Sequence, residues 1–365
     1  MKEQKNYNHK LKNSNKILNL YFAINNSCNI SCKYCYLPFD LKSTKNYSDT
    51  KIIHSLSYFI EKVENEGWRI GKFCLHGAEP SLIFSKTMGR IINLIHNHWS
   101  NNNIQNLTPS IQTNGIRLTK SYLEELLDII NDTKKIRLGF SIDPPKAVHD
   151  CMRDGSYNIV MKNFEAAQKL GFKTAILSVV SNETMNYLDD FCLWIKEQLK
   201  NKESCGNPYK VKVKFATGKY SLNENQLKRF SNFIIKKDLT SIIQILSPNY
   251  CIQNGNNCEW YEFDIDGNCY SCNKNYNSNG IFANWKYESF DTITIKRKKL
   301  FENEYTHPDC SKCCYEMVCN SGCPIDRNKT GKIKGKAHEC TLIKQVYKHF
   351  EHEGISIIEY FYNNK

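Results

Sequence analysis

The 365-residue chain has no apolar run approaching the roughly 18 residues that a membrane-spanning helix needs, which excludes a membrane span from the expected fold. Its first 16 residues, MKEQKNYNHKLKNSNK, are polar and basic with no apolar stretch behind them. That is not the pattern of a secretory signal, and the segment reads as a frayed tail. No basic stripe interleaved with aromatics is present, although the formal charge is +13, and the densest basic run is only Lys296-Arg297-Lys298-Lys299. This argues against a nucleic-acid partner and leaves attraction to an acidic peptide or protein open. No internal repeat stands out beyond a bias to Asn and Lys. With 41% hydrophobic and 24% charged residues, the composition is that of a folded globular chain.

What the chain has in excess is cysteine, with 17 in all. Without an export signal, that usage points to a reducing cytoplasm and to metal binding, because disulfide frameworks belong to exported proteins. Three of the thiols, Cys28, Cys32 and Cys35, follow the apolar run Ile17 to Ile24 with C-x3-C-x2-C spacing. Three thiolates on one short loop cannot complete a structural zinc site, which takes four protein ligands. They suit a [4Fe-4S] cluster with one iron left open.

From residue 16 to about 245 the pattern alternates strand and helix. Strands are expected over 16–24, 69–75, 110–113, 135–141, 174–180 and 210–215, with helices between them. Ser48 and Thr119 cap two of those helices, and Gly67 and Gly171 stop two. Six β/α units in series imply a parallel sheet with outer helices. Six are too few for the usual eight-stranded barrel, so the expected fold class is α/β, a partial (β/α)6 barrel. The expected domains are a tail over 1–16, the barrel over 17–247 and a cysteine-rich domain over 248–365. The last holds ten of the 17 cysteines and little periodicity before a helix near Glu339 to Glu351. Such a segment needs metal sites to hold it together.

Working residues in parallel β/α folds sit at the C-terminal strand ends. Here those ends carry the cysteine loop, then His76-Gly77-Ala78-Glu79-Pro80, then Gln112-Thr113-Asn114-Gly115, then Ser141-Ile142-Asp143-Pro144-Pro145. Four polar motifs on four successive strand ends define one candidate site.

The cysteine spacing, with the aromatic Tyr34 before the last cysteine, resembles the hallmark of radical S-adenosylmethionine (SAM) enzymes. His76 to Pro80 resembles that family's Gly-Gly-Glu-Pro motif, with His76 read in the place of the first glycine. The resemblance implies that Gly77 and Glu79 meet the SAM amino group, although Glu79 could instead cap the following helix. It also implies that Ser141 and Asp143 lie beside the ribose and that Arg153 pairs with the SAM carboxylate. Cys310-x2-Cys313-x5-Cys319-x3-Cys323 with Cys340, Cys251, Cys258 and Cys272 resembles the SPASM domain of peptide-modifying relatives. That resemblance implies two auxiliary [4Fe-4S] clusters, one on Cys251, Cys258, Cys272 and Cys323, the other on Cys310, Cys313, Cys319 and Cys340. A pair of zinc sites is the alternative, because C-x2-C serves zinc too. Cys269 and Cys314 neighbour assigned ligands and could replace them.

The implied chemistry is cleavage of SAM to methionine and a 5′-deoxyadenosyl radical, which abstracts hydrogen from a residue of a ribosomally made peptide. Length and layout resemble anaerobic sulfatase maturases, which make formylglycine. Those enzymes carry an aspartate, proposed as the base, where this chain has Asn273, and an amide takes up no proton at neutral pH. A side-chain crosslink is therefore the favoured reaction, with formylglycine formation, epimerisation and a non-enzymatic electron carrier as alternatives. A reductant such as flavodoxin or ferredoxin is implied. About 16 residues precede the first strand, too few for the leader-binding module of some relatives, so leader recognition would rest on a separate protein or on this chain's basic surface. No residue is named as a catalytic base.

Overall fold

Strand β1 (Ile17–Ala23) alternates, with Leu18, Leu20 and Phe22 fully buried. A computed structural model of the chain describes residues 16–37, 47–104, 107–204, 209–246, 260–276, 278–302, 307–319, 321–323 and 336–363. Helix α1 (Asp49–Asn65) begins where the Ser48 side chain accepts from the Lys51 amide, and it buries Ile52, Leu56, Phe59, Ile60 and Val63 on one face. The expected cap is there. Strand β2 (Arg69–His76) follows, then α2 (Ser85–Asn101), β3 (Ser110–Thr113) and α3 (Lys120–Ile130), which Thr119 caps as expected. Strand β4 (Arg137–Ser141) leads through α4 (Lys146–Met152) and α5 (Tyr157–Lys169) to β5 (Lys173–Val180). Helix α6 (Leu188–Ser204), β6 (Lys210–Phe215) and α7 (Glu224–Lys236) complete the series.

The sheet order is β6-β5-β4-β3-β2-β1, every neighbouring pair parallel. Consecutive strands lie side by side with helices between them, as the right-handed β/α crossover requires. This is the expected open barrel of six β/α units.

The segment after residue 259 holds more regular structure than its sequence suggested. Strand β7 (Trp260–Asp264) pairs parallel with the free edge of β1, placing Phe22 opposite Phe263 and Ala23 opposite Asp264. Strands β8 (Asn268–Tyr270) and β9 (Ile281–Asn284) add antiparallel to it, so the sheet has nine strands. Helix α8 (Phe290–Glu302) follows, then the short α9 (Pro308–Ser311) and α10 (Glu316–Cys319), then α11 (Cys340–His352) and α12 (Ile357–Asn363). One apolar core runs across the expected boundary at 247/248. Phe59 of α1 packs against Phe22 at 5.2 Å, Phe263 at 5.1 Å, Trp285 at 5.0 Å and Phe290 at 5.5 Å between ring centroids. Burying aromatic rings in such edge-on contacts adds to the stabilisation that area alone provides. Among the described residues no helix is long and apolar enough to cross a membrane.

Candidate functional site

The C-terminal end of β1 is tied to that of β2 before either loop begins. The Ile24 amide donates to the His76 carbonyl at 3.1 Å, and the Ala78 amide to the Asn25 carbonyl at 3.2 Å. Gly77 sits at φ +119°, and a Cβ there would lie 2.4 Å from the Asn25 carbonyl oxygen. Only glycine fits that crossing. Counted back from Glu79-Pro80, Gly77 occupies the first-glycine place of the motif and Ala78 the second. His76 therefore precedes the motif, a correction to the sequence reading.

The cysteine loop lies on this platform. The Cys35 amide donates to the Cys32 carbonyl at 3.1 Å, closing a turn between these two cysteines. Asn114, after β3, directs its amide nitrogen to the Cys28 sulfur at 3.8 Å and to Asn29 at 2.8 Å. Arg153 directs a guanidinium nitrogen to the Cys32 sulfur at 3.7 Å. Burial pushes the Cys32 thiol up to about 11, with Arg153 pulling it down and Cys35 and Cys28 pushing it further up. Cys32 thus feels both other thiols of the loop and has Arg153 as its cationic neighbour. Among the described residues no three His, Cys, Asp or Glu side chains converge as they would on a single ion. Soft thiol donors spread over one loop fit an iron–sulfur cluster, whose separate irons each take one of them.

Glu79 is 2% exposed and its carboxylate is fully engaged. It accepts from the Ser81 amide at 2.9 Å, the Ser81 hydroxyl at 2.7 Å, the Thr113 hydroxyl at 2.6 Å and the Asn114 amide at 2.6 Å. The capping alternative is therefore realised, since Glu79 caps the turn Pro80–Leu82. The same carboxylate also clamps the β3 loop that carries Asn114 to the Cys28 sulfur.

Ser141 accepts from Gln112 at 2.9 Å at the end of β4. Asp143 is sealed by its neighbours. Its Oδ1 accepts from the Val179 amide of β5 at 2.7 Å, and its Oδ2 from Arg153 Nε at 2.7 Å and from the Tyr34 hydroxyl. Arg153 stacks over the Tyr34 ring at 5.4 Å. Tyr34, Asp143 and Arg153 thus form one linked unit beside Cys32, with Arg153 Nη1 directed at the Cys32 sulfur.

In the C-terminal segment, Cys310, Cys313, Cys319 and Cys340 line one cavity of about 430 Å³, open solvent included, together with Tyr315 and Ala337. Burial pushes the Cys319 thiol up to about 12, and Cys340, Cys310 and Cys313 add to the rise. Four thiols around one hollow are the donor set expected there. Cys314 is exposed and does not line it. Cys272 and Cys323 are buried, whereas Cys251 and Cys258 fall outside the described residues. Cys269 lies in the apolar core, with its sulfur 3.8 Å from the Gly267 carbonyl.

One group of residues has no counterpart in the sequence reading. Glu262 of β7 is fully buried and contacts His76 Nδ1 at 2.8 Å, while His76 Nε2 meets the Tyr36 hydroxyl at 2.9 Å. The available signal was a carboxylate flanked by aromatics in the strand Trp-Tyr-Glu-Phe-Asp, since a charge is seldom buried without a partner.

Residues 23–195 match the model of the Radical SAM superfamily. That stretch, just under half of the chain, is a radical SAM domain, and the protein is an enzyme. It is similar, at 24% identity over 92% of this chain and 94% of the other, to the cysteine-type anaerobic sulfatase-maturating enzyme of Clostridium novyi. Among solved structures it resembles native anSMEcpe with bound AdoMet and Cp18Cys peptide, with a TM-score of 0.73 and 21% identity over 96% of this chain and 100% of that one. It also resembles Streptococcus suis SuiB bound to precursor peptide SuiA, with a TM-score of 0.64 and 14% identity over 92% of this chain and 79% of that one.

Proposed function

We propose that this enzyme uses SAM and three [4Fe-4S] clusters to take a hydrogen atom from a residue of a ribosomally made peptide and close a side-chain crosslink. Cys28, Cys32 and Cys35 would hold the cluster that meets SAM. The auxiliary clusters would be held by Cys251, Cys258, Cys272 and Cys323, and by Cys310, Cys313, Cys319 and Cys340. Bound together, SAM and its cluster supply the 5′-deoxyadenosyl radical, and the rest of the reaction depends on how the chain orients and shields the reactants.

The chain's own residues do this in separable ways. Gly77 lets the β2 loop pass close over Asn25, bringing backbone carbonyls to the place where an ammonium group would sit. Glu79 fixes the β2 and β3 loops against each other. Arg153, held by Asp143 and Tyr34, presents donors beside Cys32 that suit a planar carboxylate. Ser141 sits on the neighbouring strand end.

The observation that carries the crosslink reading is Asn273, which replaces the carboxylate of the maturase pattern with a group that cannot accept a proton. Similarity to a sulfatase-maturating enzyme over nearly the whole chain supports formylglycine formation as the second reading. The domains would be the barrel over 17–247 and a SPASM domain over 248–365. A cytoplasmic setting, flavodoxin or ferredoxin as reductant and a separate leader-binding protein complete the reading.

Co-expression with the peptide of a neighbouring small reading frame, followed by mass spectrometry, tests it. A loss of two hydrogens supports the crosslink. Loss of cysteine sulfur with gain of oxygen would replace it with formylglycine formation, and an unchanged mass with epimerisation.

A further inference from the structure

If Asn273 cannot take a proton, the peptide's proton must go elsewhere. The Asn273 side chain hydrogen-bonds the Tyr36 hydroxyl, and that hydroxyl is also bonded to His76 Nε2. We propose that His76, held by Glu262 and reached through the Tyr36 hydroxyl, accepts the proton that the peptide loses as its radical is oxidised to product. The proposal rests on the peptide-modifying reading above.

The hydrogen bonds run in one direction. A carboxylate only accepts, so the hydrogen of the neutral His76 ring lies on Nδ1, 2.8 Å from Glu262 Oε1. Nε2 is then an acceptor, and the Tyr36 hydroxyl donates to it. The Tyr36 oxygen keeps lone pairs for a donor on the Asn273 side. Glu262 Oε2 is buried with no hydrogen-bond partner among the described residues. Leaving that buried acceptor unmatched costs about 1–3 kcal/mol, so the carboxylate is held there at the expense of stability. A carboxylate behind the ring instead stabilises the imidazolium that forms when Nε2 takes a proton. Tyr36 stacks near His76 with 17° between the ring planes, and Tyr21 meets the ring edge-on at 5.4 Å, so the ring is fixed from two sides. The ionisable groups around the relay are Cys35 and Cys272 near Tyr36, with Cys74, Tyr270 and Tyr276 near Glu262.

The step balances. Removal of a hydrogen atom leaves a peptide radical, and closing that radical to product expels one electron and one proton. An auxiliary iron–sulfur cluster held by the C-terminal cysteines would be the oxidant that takes the electron. The proton bonds to the Tyr36 oxygen as the original hydroxyl proton moves to Nε2. Tyr36 ends neutral and His76 ends as imidazolium beside Glu262.

The test uses the anaerobic holoenzyme with SAM, dithionite and the peptide of the neighbouring reading frame. His76→Gln and Glu262→Gln are each expected to lower oxidised peptide per 5′-deoxyadenosine by about 100-fold. The double variant His76→Gln with Asn273→Asp is expected to recover most of that loss, because it restores a carboxylate on the other side of Tyr36. An unchanged product ratio in His76→Gln or in Glu262→Gln, or no recovery in the double variant, overturns the proposal alone. A parent enzyme that makes 5′-deoxyadenosine without oxidising the peptide overturns this proposal and the peptide-oxidation reading together.

Discussion

Arg153 and Asp143 form a buried ion pair, Nε to Oδ2 at 2.7 Å, with side chains 8% and 0% exposed. The pair spans the loop after β4 and stands between the Tyr34 ring and the Cys32 sulfur. Desolvation works against each charge alone, and each is kept by the other. Asp143 and, after it, Tyr34 and Cys32 hold the Arg153 guanidinium well above its ordinary value against the opposing cost of burial. Breaking such a pair from one side leaves the other charge stranded.

Arg153→Met is therefore expected to lower stability by about 3–5 kcal/mol. Arg153→Lys should fall between the two, because an ammonium cannot keep the Asp143 contact and also reach Cys32. Anaerobic urea unfolding of the three proteins measures this. A loss under about 0.5 kcal/mol for Arg153→Met, the scale of an exposed pair, would contradict the buried pairing.

Glu79 offers a second test, in which geometry separates two roles. Four donors meet its two oxygens, and the amide of Glu79→Gln can accept on only one side. The variant should lose about 1.5–3 kcal/mol from the strained contacts. It should also loosen the β3 loop that brings Asn114 to Cys28. Thermal unfolding reads the first effect and equilibrium SAM binding the second. SAM affinity unchanged in a destabilised Glu79→Gln would show that the Glu79 clamp does not reach the SAM site.

Local features of this fold were legible in the sequence, and its long-range contacts were not. Ser48 and Thr119 act where their side chains reach, within one turn, so spacing alone reveals them. The strand-end motifs follow from β/α alternation, which repeats along the chain. By contrast, β7 finds β1 across more than 230 residues, and nothing in Trp260 to Asp264 names its partner. Glu262 likewise meets His76 at a separation of 186 residues. The polar residues Glu79 and Asp143 were correctly placed at strand ends, but their partners were not foreseen. The sequence pattern suggested ligand contacts, whereas both carboxylates bind their own chain's donors. Single side chains could be read; which donors their loops would bring to them could not.

The cysteine assignment gives a test by subtraction. Three clusters correspond to roughly 12 irons per chain. Cys313 lines the cavity with Cys310, Cys319 and Cys340, whereas its neighbour Cys314 is exposed outside it. Cys313→Ser should lower the iron content by about four, and Cys314→Ser should leave it unchanged. Iron and sulfide analysis after anaerobic purification decides. Equal losses in both variants would mean that the neighbouring thiols exchange, and zinc in place of most of the iron would sink the cluster assignment.

His149 predicts how stability depends on pH. Its ring is fully buried, with Nδ1 accepting from the Asp143 amide at 3.1 Å and Nε2 3.0 Å from the Ser156 hydroxyl, which itself donates to the Arg153 carbonyl. A second ring proton would have to sit on Nδ1, facing the Asp143 N–H. Burial lowers the His149 value from 6.5 to about 4, with Asp143 pulling upward and Arg153 downward. The folded state therefore binds this proton less readily than the unfolded chain does. The resulting stability is fully present above about pH 6.5 and is lost as pH falls toward 4, by about 3 kcal/mol at the lower end. His149→Gln removes the titration and should flatten that part of the profile while lowering stability at neutral pH through the altered contacts. Urea unfolding between pH 7 and 4.5 measures both. A parent slope no steeper than that of the variant across this window would show that His149 carries its proton in the folded chain.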